Sequence, residues 1–168
     1  MSLISREGCR GFSAAKLLLV AILISAVSGP VIAAGEAFSL SIATSQESVS
    51  TGSDIQVTIK LTNETNREMT IVDMDQRCDF GVEVRDSNAR SVPETEEKRQ
   101  VNCTNLVAGK RIILKLKPGE YHEYIIYVNQ LYDMARPDKY DVQVTRELPR
   151  EIGKGQVKSN MIRIAVTE

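Results

Sequence analysis

Period-two alternation is the feature that most limits what this chain can fold into. In the stretch DIQVTIKLTN, residues 54–63, Ile55, Val57, Ile59 and Leu61 alternate with Gln56, Thr58, Lys60 and Thr62. Successive side chains of a strand point to opposite faces, so this pattern predicts a strand with one buried and one wet face. The same reading predicts strands over residues 38–44, with Phe38, Leu40 and Ile42 inward, and over 80–86, with Phe80, Val82 and Val84 inward. It predicts them over 111–118 (Ile112, Leu114 and Leu116 inward), 139–147 (Tyr140, Val142 and Val144) and 157–168 (Ile162, Ile164 and Val166). Residues 67–74 and 121–128 complete the set, the latter apolar on both faces.

Turn chemistry separates these runs: Thr51-Gly52-Ser53-Asp54, Asn63-Glu64-Thr65-Asn66, Asp86-Ser87-Asn88 and Lys117-Pro118-Gly119-Glu120. No amphipathic helix of ten residues or more is predicted; only Asn129 to Ala135 suits a helical turn. Eight short strands with regular turns predict an all-β fold, an antiparallel β-sandwich of about seven to eight strands, and not a parallel α/β sheet.

The first 34 residues follow a different rule. Arg6, Arg10 and Lys16 stand against one acid, Glu7; an uncharged run LLLVAILISAV follows; Ser28-Gly29-Pro30 breaks it. Small residues then sit at Val31-x-Ala33 and Ile32-x-Ala34. This is the order of a secretory signal peptide over residues 1–34, with an uncleaved membrane-anchoring helix as the alternative. Cys9 precedes the apolar run and is not placed to carry a lipid. Residues 35–168 then form a single domain, large enough to bury a core. The expected location is extracytoplasmic, either periplasmic or secreted, or membrane-anchored if the leader is kept. The chain's net charge is −1, and the leader's surplus of cations leaves residues 35–168 near −3. That balance, without clustered Lys and Arg, argues against a nucleic-acid partner and against a polybasic membrane patch.

Two cysteines, Cys78 and Cys103, remain after the leader. In an exported chain such a pair reads as one disulfide. It would close a loop of about 25 residues and stabilise by roughly 3 kcal/mol in the chain-entropy account. Two separate buried thiols are the alternative; a metal site is disfavoured because no histidine lies near either. The pair brackets most of the charged segment 87–110. The stretch QLYDMARPDKYDVQV reads as a structural corner: Leu131 and Tyr132 cap one end of the fold, Pro137 turns the chain, and Tyr140 enters the next strand. A tyrosine at that place in immunoglobulin-type sandwiches bonds back to nearby backbone.

With these residues in view, the chain resembles bacterial extracytoplasmic immunoglobulin-like sandwich domains. The resemblance rests on Thr51-Gly52-Ser53-Asp54 before a long alternating strand ending Leu61-Thr62-Asn63, on Leu116-Lys117-Pro118-Gly119-Glu120, on the corner Leu131-Tyr132-Asp133, Pro137 and Tyr140, and on Lys158-Ser159-Asn160 before the last strand. It implies an immunoglobulin-like fold over nearly all of residues 37–168 and brings no catalytic residues. Asp138 stands where such corners often have glycine. A looser similarity is to BsuPI-type proteinase-inhibitor domains.

Little in the composition supports catalysis. His122 is the only histidine and no Gly-x-Ser-x-Gly elbow exists, which argues against a nucleophile–histidine pair and against catalytic zinc. Asp73, Asp75 and Asp79 form an acidic cluster that reads as a solvated loop or, less readily, as a calcium site. Glu94, Glu96 and Glu97, mixed with Lys98 and Arg99, read as a wet loop. The chain has no Trp for a sugar platform, and no glycine-rich loop to cradle a phosphate. No catalytic, cofactor-binding or metal-binding residue is therefore assigned, and no cofactor is expected. Asn63-Glu64-Thr65 and Asn102-Cys103-Thr104 are sequons that would matter only in a glycosylating host. In residues 121–128, Tyr124, Ile126 and Val128 share one face and Tyr121, Glu123, Ile125 and Tyr127 the other. Whichever face is not in the core either marks a partner surface or is covered by residues 87–110. The expected function is an exported, non-catalytic binding or structural module of the cell envelope with protein partners. The alternatives are a proteinase inhibitor acting through the 87–110 loop and an enzyme of unrecognised type.

Overall fold

Every alternating run in the sequence becomes a strand in the computed structural model, which describes residues 37–103, 111–148 and 155–168. In chain order the elements are β1 Phe38–Ala43, β2 Ser48–Ser50, β3 Gln56–Asn63, β4 Met69–Asp73, α1 Gln76–Asp79, β5 Gly81–Arg85, α2 Glu96–Gln100, β6 Ile112–Leu116, β7 Tyr121–Tyr127, α3 Val128–Leu131, β8 Asp138–Glu147 and β9 Gln156–Thr167. The fold is all-β. The strands form three sheets, ordered β1-β3-β7, β2-β9-β8-β5 and β4-β6. All pairings are antiparallel except β2 with β9, which is parallel. The described residues lie within one compact unit, Ala33–Glu168. The expected leader helix lies outside the described residues. Among the described residues, no helix is long and apolar enough to cross a membrane.

The inward rows meet in one core. Val57, Ile59 and Leu61 of β3 are fully buried, as are Phe38, Val142, Val144 and Ile164. Each such side chain stabilises the fold by about 1.5–3 kcal/mol relative to exposure. β7 resolves its ambiguity by turning Tyr124 and Ile126 inward and leaving Tyr121, Ile125 and Tyr127 in solvent. At the turn into β7, Gly119 adopts a φ of +74°, a left-handed conformation that glycine takes without a Cβ penalty.

Several expectations need correction. β2 is an added strand, with Val49 alone buried, and three residues are too few to register as a period. Ile112 was expected inward but is 49% exposed, because β6 pairs with β4 at a margin of the fold and its first residue overruns the core. The helical turn expected from Asn129 starts one residue earlier, at Val128. Two further turns, α1 and α2, form on side-chain caps: Asp75 accepts from Arg77 N at 2.9 Å and Thr95 from Lys98 N at 3.2 Å. Such caps satisfy the orphan N–H groups of a helix start. Residues 87–103 of the charged segment thus carry local structure. Arg85 bridges Ser91, Glu94 bridges Tyr132, and Val92 is buried. Residues 104–110 of that segment lie outside the described residues.

Candidate functional site

β7 is an edge strand, and the direction of its free backbone groups follows from the register. It pairs with β3 alone, through Val57↔Ile126, Ile59↔Tyr124 and Leu61↔His122. Just beyond the ends of the ladder, Val128 N donates to Ile55 O at 3.0 Å and Asn63 N donates to Glu120 O at 2.9 Å. Bonded and non-bonded pairs alternate in an antiparallel ladder. The even-numbered positions His122, Tyr124 and Ile126 therefore face β3. The N–H and C=O groups of Tyr121, Glu123, Ile125 and Tyr127 point to the open edge, where no described strand pairs with them.

Beside that edge lies a concavity of about 550 Å³. β6 contributes Ile112 and Leu114; β7 contributes His122, Tyr124, Ile125, Ile126 and Tyr127; the end of β4, α1 and α2 contribute Asp73, Met74, Asp75, Arg77, Asp79 and Glu97. Of the eight large apolar side chains left exposed among the described residues, all but Met161 lie on β4, β6 or β7 or directly after β4. Residues 87–103 do not cover the outer face of β7, where Tyr121 and Ile125 are each 49% exposed.

The wall behind the groove is a buried ion pair. Asp73 and Arg146 are 6% and 4% exposed and form a salt bridge. The Tyr124 hydroxyl donates to Asp73 Oδ2 at 2.7 Å and accepts from Arg146 Nη1 at 3.1 Å. Arg146 also stacks over the Phe80 ring, 4.9 Å from its centroid. Phe80 in turn packs edge-on against Tyr124 at 4.8 Å. Burial and the Asp73 hydrogen bond drive the Tyr124 hydroxyl far above its ordinary range, so it stays neutral. Burial alone would lower the Arg146 pKa, but hydrogen bonds and charges from Asp73 and Tyr124 outweigh it and raise the pKa. The raised pKa values keep the Tyr124 hydroxyl neutral and the Arg146 guanidinium charged at neutral pH.

The acidic cluster is therefore not a uniformly solvated loop. Asp73 is a core residue. Asp75 caps α1 and binds Arg77 at 2.7 Å; the Arg77 hydrogen bond lowers its pKa. Asp79 accepts from Met74 N at 2.9 Å, and burial raises its pKa. No three ligand-type side chains among the described residues gather to hold a metal.

The remaining singled-out residues are held by internal bonds and packing. Cys78 on α1 and Cys103 just past α2 form a disulfide, which ties the acidic side of the groove to the chain after α2. Leu131 and Tyr132 are buried, and the Tyr132 hydroxyl donates to Val82 O. The Tyr140 hydroxyl donates to Arg136 O at 2.8 Å, back across Pro137. His122 is half-buried against the Tyr124 ring at 4.7 Å. The Asn63 sequon is no glycan acceptor in the folded chain: Asn63 is fully buried, and its Nδ2 donates to Arg67 O and Leu116 O at 2.8 and 2.9 Å.

Sequence reasoning missed Arg146, although it occupies the next inward slot after Tyr140, Val142 and Val144. Asp73 likewise continues the inward row of Met69 and Ile71. Two opposite charges, each completing a buried row, are the signal that would have paired them.

Residues 34–167 match the family described as flagellar collar protein C, N-terminal domain. A search of curated proteins finds no match. Among solved structures, a β-glucosidase from Erythrobacter marinus aligns at 14% identity with a TM-score of 0.42, over 77% of this chain and 15% of that one. That likeness is too slight to bear on function.

Proposed function

The chain belongs to the flagellar collar protein C N-terminal domain family, and from that premise we propose that it is an exported, non-catalytic structural and binding module of the bacterial cell envelope, serving the flagellar assembly. The family match across residues 34–167 is the observation that carries this reading. Residues 1–34 act as the export leader, and residues 35–168 fold as an immunoglobulin-like β-sandwich domain. The two larger sheets, the corner Leu131, Tyr132, Pro137 and Tyr140, and the Cys78–Cys103 bridge support that fold. The polar constellation behind the groove is saturated with internal bonds, which suits a scaffold more than a reaction centre. The groove beside β7 is the surface through which the module meets a protein partner. The proteinase-inhibitor alternative draws no support from the family match.

Cell biology tests this reading. The tagged protein is located by fluorescence and by fractionation, in flagellated cells and in cells lacking the flagellar basal assembly. The expected result is envelope foci that coincide with flagella and disperse when the basal assembly is absent. A uniform envelope distribution indifferent to flagella refutes the flagellar assignment, and retention in the cytoplasm refutes export.

A further inference from the structure

We propose that the open edge of β7 accepts an extended peptide as an added strand, and that this peptide alternates apolar with cationic side chains. The inference rests on the binding-module reading above and names the chemistry of the partner segment.

Three observations converge. Among the described residues the outward N–H and C=O groups of Tyr121, Glu123, Ile125 and Tyr127 have no strand partner, and the last three give a ladder three donors long, set by the register with β3. Main-chain bonding to such an edge supplies affinity that is independent of sequence. The groove at that edge carries apolar lining from Ile112 and Leu114 on β6 and from Ile125 and Tyr127 on β7. Its charged lining is acidic. Among the described residues four carboxylates line it, Asp73, Asp75, Asp79 and Glu97, against the single guanidinium of Arg77; Arg146 pairs with Asp73 from behind, and Arg77 binds Asp75 at 2.7 Å and Glu97 at 3.9 Å, so a surplus of negative charge remains. An extended segment presents alternate side chains to opposite sides. One set matches the apolar lining of β6 and β7, and the other matches the carboxylates carried by α1 and α2.

The edge of β1 makes the contrast. There Asn160 takes the place of a neighbouring strand, accepting from Ile42 N at 2.9 Å and donating to Ile42 O at 3.0 Å. Exposed edges invite pairing with other chains and folds ordinarily blunt them. One outer edge of this sheet is capped by a side chain, and the other is left free beside an apolar groove.

The test uses the full-length protein, expressed for export and purified, with a fluorescein-labelled peptide Val-Lys-Val-Lys-Val-Lys-Val. Fluorescence anisotropy reads binding, and backbone hydrogen exchange reads the amides of Glu123, Ile125 and Tyr127. The Val/Lys peptide should bind and protect those three amides at least ten-fold. A Val-Glu-Val-Glu-Val-Glu-Val peptide should bind at least ten-fold more weakly. N-methylation of the Val/Lys peptide at alternate residues should abolish binding in one phase and spare it in the other. The variant D79N/E97Q should weaken the Val/Lys peptide about ten-fold. Met161→Lys, on β9, should leave binding unchanged and serves with a thermal melt as the folding control. Equal affinity for both peptides overturns the charge assignment. Failure of the Val/Lys peptide to bind, or binding without protection of the β7 amides, overturns strand addition. If strand addition fails while the protein still forms foci with flagella, this inference falls and the module reading stands.

Discussion

Removing the buried guanidinium is the most informative single perturbation. Arg146→Met keeps much of the side-chain length and packing but leaves Asp73, 6% exposed, with only the Tyr124 hydroxyl and no countercharge. Breaking a buried pair from one side costs about 3–5 kcal/mol, because the remaining charge cannot recover its hydration. A domain of this size has a total stability of about 5–15 kcal/mol, so the variant should lose roughly a fifth or more of it. The attraction between the charges is not by itself the source of stability. Replacing both partners with apolar groups of similar volume is often neutral or favourable. The double variant Asp73→Leu/Arg146→Met should therefore recover most of the loss. Tyr124→Phe should sit between, at about 1–3 kcal/mol, since it removes one hydrogen-bonding group from each charge and leaves the pair itself.

The assay is urea unfolding followed by far-ultraviolet circular dichroism, because the chain has no tryptophan to report by fluorescence. The m-value shows whether the unfolded reference has changed. A cost below about 1 kcal/mol for Arg146→Met with an unchanged m-value would refute the claim that the pair is shielded from water. A double variant as unstable as the single would refute the desolvation argument and put direct attraction in its place.

The other predictions concern the rim and the turns. Asn63→Ala removes four hydrogen bonds, to Arg67 O, Leu116 O, Thr65 N and the Thr65 hydroxyl, and should destabilise by about 2–3 kcal/mol in the same urea assay. In a glycosylating host, mass spectrometry should find position 63 unmodified, and a glycan there would contradict the burial of Asn63. Burial raises the Asp79 pKa in the folded state, so its ionised form opposes folding above the unfolded pKa, and the penalty fades as pH falls through the folded value. Asp79→Asn should then be more stable than the parent at neutral pH, with the gap closing towards about pH 4; a gap that widens on acidification refutes the assignment. Replacing Cys78 and Cys103 by Ser should cost about 3 kcal/mol in the chain-entropy account. Hydrogen exchange should quicken first in α1 and α2, and uniform quickening would show the bridge to be no local tether.

The frame of the fold was legible because it obeys a local rule. Ile55 to Leu61 declare their faces by alternation, and the same holds for β1 and β8, whose inward rows are buried, and for β9, where Ile164 and Val166 are buried and Ile162 packs half-buried against the core. What escaped depends on where a strand sits, which alternation does not encode. Ile112 and Leu116 belong to one row, yet one is 49% and the other 3% exposed, since β6 runs out past the core. The candidate site was legible only in part. The outer face of β7 could be seen to carry Tyr121, Ile125 and Tyr127, but not whether residues 87–110 would cover it. Nor could the sequence tell that Asp73, among neighbours that stay at the surface, would cross to Arg146, 73 residues away. Such pairings are long-range in the chain and leave no period behind.

The groove exists because two consecutive strands decline to pair. β6 and β7 are joined by a tight turn in which Glu120 N donates to Lys117 O at 2.9 Å, a connection that ordinarily makes a hairpin. Here β6 bonds β4 and β7 bonds β3. Asn63 stands at the fork. Its backbone bonds Gly119 N and Glu120 O at the start of β7, while its side chain bonds Leu116 O at the end of β6 and Arg67 O ahead of β4. At the other end of β4, Asp73 pairs in register with Ile112 and is drawn inward by Arg146. Two buried polar anchors thus fix both ends of the β4–β6 ribbon, and neither gains much from hydrophobic burial. Desolvated polar groups of this kind are costly unless fully satisfied, and both are satisfied. A simple hairpin would close the gap and would use the edge of β7 internally. Holding the ribbon off with saturated polar anchors keeps that edge free at fixed geometry, which is what a preorganised strand-binding groove requires.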